Sequence, residues 1–207
     1  MAILKIDCLS NQFKVLLASP SVFWPNAKAN LSSLAALCER HILTPLVPID
    51  DCASAADVPL ARRIYKSNTH MLHSADGVLA DLQELRGHEP DLGAAFDVGF
   101  AAALELPIVG YGAPVDCYAD RVSKTRMCKR DVLGMLRECN SQMAVEDFGM
   151  PLSLRLGCSA MLVNSEEEGS ELLAAMLRHG PASSRRGSFD NWLQARVLDH
   201  NTRKVSD

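Results

Sequence analysis

Three carboxylates and one amide in the middle of the chain are placed where they could do chemistry. Asp97 follows Phe96 in a run whose neighbours one helical turn away are Gly93, Ala94, Phe100 and Ala101. A carboxylate in such company has little polar cover, and lost hydration raises its pKa unless a donor satisfies it. That setting suits a nucleophile or general base. The same spacing also describes a partly exposed helix carboxylate. Asp91 stands earlier, where the helix should begin, and reads as an N-cap. Capping and chemistry need not conflict. Asp81 closes an apolar run at its carboxyl end, where open α/β sheets bind ligands; a turn-capping carboxylate would sit there too. Asn68 interrupts the stripe Ala61, Ile64, Tyr65, Met71, Leu72 and Ala75, where an apolar residue is expected.

Other candidates carry less. Arg86, His88 and Glu89 form a charged loop beside these carboxylates, a pattern that usually marks a solvated surface. His70 and His73 lie three apart and could ligate a metal, but no third ligand has matching spacing. Arg185-Arg186-Gly187-Ser188 is a short pattern open to phosphorylation. No G-x-G-x-x-G follows the first strand, and no Walker-type Gly-Lys-Ser/Thr or G-x-S-x-G elbow is present. Dinucleotide, phosphate-loop and serine-hydrolase chemistries are therefore poor fits.

The elements that must position these groups alternate in type. Lys14–Ala18, Thr44–Ile49, Gly77–Leu82 and Pro107–Tyr111 read as strands. Between them, Asn26 can cap a helix with Ala27, Leu31, Leu34, Ala35 and Cys38 on one face, the Asn68 stripe forms a second, and Asp91 to about Glu105 a third. Strands alternating with helices imply an α/β fold: a Rossmann-like or flavodoxin-like doubly wound parallel sheet of about five strands, with helices on both faces. Ligands should meet the loops at 18–25 (with Phe23 and Trp24), 50–60, 82–91 and 111–120. Further on, Lys124–Cys139 reads as an amphipathic helix, Pro151–Val163 as holding a last strand and Glu166–Arg178 as a helix. His179–Ser188 reads as a linker and Asn191–Leu198 as a short helix. The division expected is an α/β domain at 1–165 and a C-terminal helix with extension at 166–207.

Composition narrows the class. The 207 residues are 48% hydrophobic and 22% charged, with a net charge of −4. That excludes a disordered chain. It also disfavours nucleic-acid binding by phosphate neutralisation, since no basic excess exists. Seven cysteines without a C-x-x-C pair read as free thiols in a reducing compartment. The start of the sequence lacks a signal-peptide pattern, and the longest apolar stretch, Ala94–Val115, is broken by Asp97, Glu105 and two prolines. A cytoplasmic protein without a membrane span is expected.

The run from Arg86-Gly87-His88-Glu89-Pro90-Asp91-Leu92-Gly93-Ala94-Ala95-Phe96-Asp97 to Val98-Gly99-Phe100-Ala101-Ala102-Ala103-Leu104 resembles the nucleoside 2-deoxyribosyltransferase family. Leu17-Ala18-Ser19-Pro20, Tyr65-Lys66-Ser67-Asn68 and Val145-Glu146-Asp147-Phe148-Gly149-Met150-Pro151-Leu152 extend the resemblance over about residues 14 to 163. In that family a carboxylate attacks the anomeric carbon of a 2′-deoxynucleoside and holds the sugar covalently. A second base, or water, then takes the sugar from the opposite side, the logic of a retaining glycosidase. The resemblance puts the nucleophile at Asp97 and the base-contacting, base-protonating group at Asp91. It implies a pocket lined by Ser19, Phe23, Asn68, Asp81, Arg86 and Gly93. It places Ser153 where the family usually has an Asn that reaches a neighbouring subunit's site. The family nucleophile is a Glu, so Asp97 is one methylene short, withdrawing the carboxylate by roughly an ångström.

The expectation is a nucleoside 2-deoxyribosyltransferase acting on nucleosides and free nucleobases. It should form a homo-oligomer and need no metal or organic cofactor. A nucleoside or nucleotide N-glycoside hydrolase and a nucleoside-binding protein of impaired chemistry are the alternatives.

Overall fold

Five apolar segments, far apart in the chain, share one parallel sheet. The structure is a computed structural model describing residues 12–48 and 59–179. In chain order the elements are β1 (Phe13–Ala18), α1 (Ala27–Arg40), β2 (Leu43–Leu46), α2 (Leu60–Ser74), β3 (Gly77–Asp81) and α3 (Leu92–Ala103). They continue with β4 (Ile108–Tyr111), α4 (Tyr118–Thr125), β5 (Cys128–Arg130), β6 (Leu136–Glu138), α5 (Leu154–Ser159), β7 (Met161–Leu162) and α6 (Glu166–His179). The sheet order is β2-β1-β3-β4-β7, and every pairing is parallel. This is the flavodoxin-like order of a doubly wound fold, with its switch point between β1 and β3.

The sequence of each strand shows why it lies inside. Val15–Ala18 and all of β3 are buried, as strands covered on both faces must be. Alternation then divides them. Leu16, Val78, Ala80 and Ile108 pack with Leu72 of α2 and Ala94, Val98 and Ala101 of α3. Val15, Leu17, Leu79 and Val109 face the other way, onto Leu34 and Leu37 of α1 and Leu173 and Ala174 of α6. Pro45 cannot donate to a ladder, and it is tolerated because β2 is an edge strand. Small residues at 94 and 101 bring α3 close to the sheet. Helix α6 belongs to this same core, although the sequence division at 165 set it with the C-terminal extension.

One expectation is overturned. Residues 124–139 are not a helix. Helix α4 ends at Thr125, and β5 and β6 pair as an antiparallel hairpin. The reason is the turn. Asp131 accepts at Oδ1 from the Leu133 and Met135 amides, and Gly134 takes a left-handed φ of 81°. Arg137 closes the turn by donating to Asp131 Oδ2 at 2.7 Å. The region 151–163 contains helix α5 before the short strand β7. Most of the 50–60 loop, the 179–188 linker and the 191–198 helix lie outside the described residues.

If α6 completes the core, Leu173→Ala should destabilise the protein by about 2–5 kcal/mol. The check is a lower urea midpoint at unchanged m-value. A loss under about 0.5 kcal/mol, the scale of a surface change, would place the helix outside the core.

Candidate functional site

The first turn of α3 carries the candidate pair. Asp91 caps the helix: its Oδ2 accepts from the Ala94 amide at 3.0 Å, and its carbonyl accepts from Ala95 at 2.9 Å. Gly93 makes room for that cap, because a Cβ there would lie 2.7 Å from Asp91 Oδ2. Asp97 follows on the same helix and is half-buried. Its carboxylate makes no hydrogen bond among the described residues. Burial pushes its pKa up to about 6, and the nearby charge of Asp91 adds to the rise. Capping and a chemical role at Asp91 remain compatible, since the cap engages one oxygen and leaves the other.

Ser19 and Asp81 meet at the switch point. Asp81 is only 6% exposed. It accepts from the Gln83 amide (3.2 Å), from Gln83 Nε2 (2.9 Å) and from Ser19 Oγ (3.4 Å). Burial raises its pKa, and those donors hold the rise back. Ser19 Oγ also accepts from the Ser21 amide at 3.2 Å, starting the single 3-10 turn Pro20–Phe23. The Tyr111 hydroxyl joins Ser19 from the end of β4, and burial drives that phenol above its ordinary range.

The other expected residues take separate places. Phe23 is half exposed, and the Arg86 guanidinium lies 5.2 Å from its ring centroid. Arg86 reaches there from a left-handed backbone, φ 58°. Asn68 is part-buried on α2. It shares a helix face with Leu72 and with Tyr65, whose ring sits 6.3 Å from that of Phe96 on α3. Ser153 stands at the N-cap position of α5 but does not cap it. Its hydroxyl bonds the Glu89 carboxyl group instead.

A cleft of about 410 Å³ opens at the carboxyl ends of β3 and β4, on the α1–α6 side of the sheet. Its walls include Ser21, Trp24, Asp81, Gln83, Tyr111 and Glu166. Of the residues singled out as site candidates, only Asp81 lines it, while Ser21, Trp24, Gln83 and Tyr111 come from the loops expected at 18–25, 82–91 and 111–120. Asp97 lies on α3, which packs on the opposite face. The carboxyl ends of the strands therefore present two neighbouring regions, with Asp81 at the cleft and the α3 pair beyond it. The sequence did not single out Gln83 and Tyr111 within those loops. A polar residue just past a strand's carboxyl end was the available signal. No group of three His, Cys, Asp or Glu residues among the described ones could hold a metal ion. His73 stacks edge-on against Phe100, 5.2 Å between centroids.

The pattern on α3 and the strand ends matches a known family. The model of the nucleoside 2-deoxyribosyltransferase family matches residues 15–155. The chain belongs to that family. A 2-deoxyribosyltransferase from Leishmania mexicana has a similar structure, with a TM-score of 0.62 and 27% identity over 81% of this chain and 98% of that one. A conserved protein from Enterococcus faecalis gives a TM-score of 0.49 at 20% identity, covering 81% of this chain and 98% of that one. A 2-deoxyribosyltransferase from Bacillus psychrosaccharolyticus gives 0.42 at 16%, covering 52% and 81%. No curated protein matches. No helix among the described residues is long and apolar enough to cross a membrane.

The raised pKa at Asp97 has a stability consequence with a definite sign. Folded, the group binds a proton more tightly than at its ordinary value of 3.8, so stability is lost as pH rises from about 4 through 6. Asp97→Asn should therefore stabilise the protein by about 3 kcal/mol at pH 7.5. The gain should fade as the pH approaches 4. Urea unfolding at both pH values checks this, and a gain that does not change with pH would mean the carboxylate is well hydrated.

Proposed function

We propose that this deoxyribosyltransferase-family protein cleaves the N-glycosidic bond of 2′-deoxynucleosides and passes the deoxyribose to another base. The observation that carries the reading is Asp97: a desolvated carboxylate without a donor among the described residues, on the helix that bears the family pattern, beside a second carboxylate in a different environment. An ionised, poorly hydrated carboxylate is a good nucleophile toward a carbon gaining oxocarbenium character. Asp97 attacks the anomeric carbon, the bond to the base breaks, and its electron pair leaves with the base. Asp91 delivers a proton to that base from the oxygen its cap leaves open, which makes the base a better leaving group. An incoming base then attacks the same carbon from the opposite side, its N–H proton passes to Asp91, and the bond to Asp97 breaks with its electron pair returning to the carboxylate. Asp81, Ser19 and Asn68 line the pocket in this reading, with Phe23 and Arg86 as its outer wall.

The reading includes a homo-oligomer. Leu92 is 83% exposed on α3, with Phe96 and Tyr65 exposed nearby. A helix apolar on nearly every side is ordinarily covered. A second copy would cover that face and bring Ser153 toward a neighbouring site.

Chromatography of the purified protein with 2′-deoxyinosine, with and without adenine, tests the activity. A new deoxynucleoside formed only with adenine is the expected result. Hypoxanthine released without an acceptor would make the protein a hydrolase, and no product with any deoxynucleoside would leave a binding protein. Asp97→Ala should abolish turnover. Asp97→Glu should raise it if the missing methylene limits reach, since a shift of about 1 Å can change rate about a hundredfold. An unchanged or lower rate would mean the site is built around Asp.

The ionisation of Asp97 also sets a pH dependence. With a pKa of about 6, kcat/KM should rise with pH up to that value and then level as the nucleophile becomes fully ionised. A profile flat from pH 4.5 upward would remove Asp97 from the nucleophile's role.

A further inference from the structure

Glu84, His88 and Glu89 of the loop before Asp91 take no part in the proposed chemistry, yet they gather around a buried arginine. Arg121 of α4 is 7% exposed. Its Nε donates to the Asp116 carbonyl at 3.4 Å. Nη1 donates to the Glu84 carboxylate and to the His88 carbonyl, the latter at 2.8 Å. Nη2 donates to the Pro151 carbonyl. The Tyr118 ring lies against the guanidinium, 5.6 Å to its centroid. The acceptors come from three segments: the loop entering α3, the loop after β4 and the turn entering α5.

Neighbouring contacts reinforce the junction. His88 places Nε2 2.7 Å from Thr125 Oγ1 and Nδ1 3.4 Å from Glu84 Oε1. Glu89 bonds the Ser153 and Tyr118 hydroxyls with the charge of Arg121 close by, while its buried Oε2 has no partner among the described residues. Burying a guanidinium is costly unless its donors are met. Here every nitrogen of the guanidinium donates, and the Tyr118 amide on the Met150 carbonyl (2.8 Å) draws the same segments together. The planar fork fixes the directions of those bonds, which a lysine ammonium cannot do.

We propose that Arg121 is a positioning residue for the candidate glycosidic site. It sets the Asp91-bearing loop and the Ser153-bearing turn in one relative placement. The links are short and stiff. Only Glu89 and Pro90 separate the clamped His88 carbonyl from Asp91, and Pro90 has a locked φ. Only Leu152, fully buried, separates Pro151 from Ser153. A shift at the guanidinium therefore reaches both residues together. The kinetic consequence rests on the function proposed above; the placement itself does not.

The test compares the full-length wild type with Arg121→Lys, which keeps the charge and loses the fork. The first readout is hydrogen exchange by mass spectrometry. The variant should exchange faster both at 84–95, which holds the Ala94 amide bonded to Asp91, and at 151–157, which holds the Gly157 amide bonded to the Ser153 carbonyl. Peptides from β1 should be unchanged. The second readout is steady-state turnover of 2′-deoxyinosine, where kcat should fall about tenfold to a hundredfold with KM held within about threefold. Wild-type exchange at either segment would overturn the clamp. Faster exchange with wild-type kcat would overturn the positioning role. If the wild type itself cleaves no deoxynucleoside, the proposed function fails, and exchange alone decides whether Arg121 sets both segments. Should Arg121→Lys fail to fold, Glu84→Gln takes its place. That variant weakens one acceptor of the fork, so coupled faster exchange at both segments supports the proposal and unchanged exchange overturns it.

Discussion

The rest of the structure turns on one carboxylate that water cannot fully hydrate and no donor among the described residues satisfies. A charge in that state resists folding, so the surrounding packing must hold it there. Helix α3 does so by lying close to the sheet on Ala94, Val98 and Ala101, all buried. Asp91, on the same helix, has the opposite environment. Its Oδ2 accepts from the Ala94 amide at the start of the helix, whereas Asp97 accepts from no donor among the described residues.

The sheet decides which groups can meet. Its strands end together at the switch point, where Ser19, Asp81 and Tyr111 share hydrogen bonds or charge. Alternation sends Asp81 toward the α1–α6 side, where the cleft opens, while α3 lies across the other face. Asp81 is kept in place by Gln83 and Ser19 rather than by a cation. A ligand held there meets a wall of hydroxyls, amides and acids, which favours a neutral partner with N–H and O–H groups over an anion.

The departures at positions 97 and 153 look different once their neighbours are seen. Ser153 is occupied within its own chain, through Glu89, in the junction that Arg121 holds. A shorter side chain suits that role. Asp97 sits on a helix whose approach to the sheet is fixed by small residues, so its carboxylate cannot move outward unless the helix does. Family membership accounts for the fold. The local packing accounts for how this member differs.

The sequence by itself determined the architecture. The runs at 14–18, 77–82 and 107–111 are apolar because parallel strands are covered on both faces, and that signal is local. Asp91 as a cap and Asp97 as a poorly covered carboxylate were legible for the same reason, since helix periodicity places their neighbours. The β5–β6 hairpin was not read, although Asp131 and Gly134 mark its turn, because the alternation there is short enough to pass as a helical stripe. The partners of Ser153 and Arg86, and the bond from Ser19 to Asp81, were decided only by the tertiary structure. Glu89 and Ser153 are 64 residues apart and Arg86 and Phe23 are 63 apart. Nothing in local spacing says which distant loops the sheet will bring together. The burial of Arg121 is the clearest case. The sequence did not single it out, and it is buried because acceptors from three segments close around one planar donor.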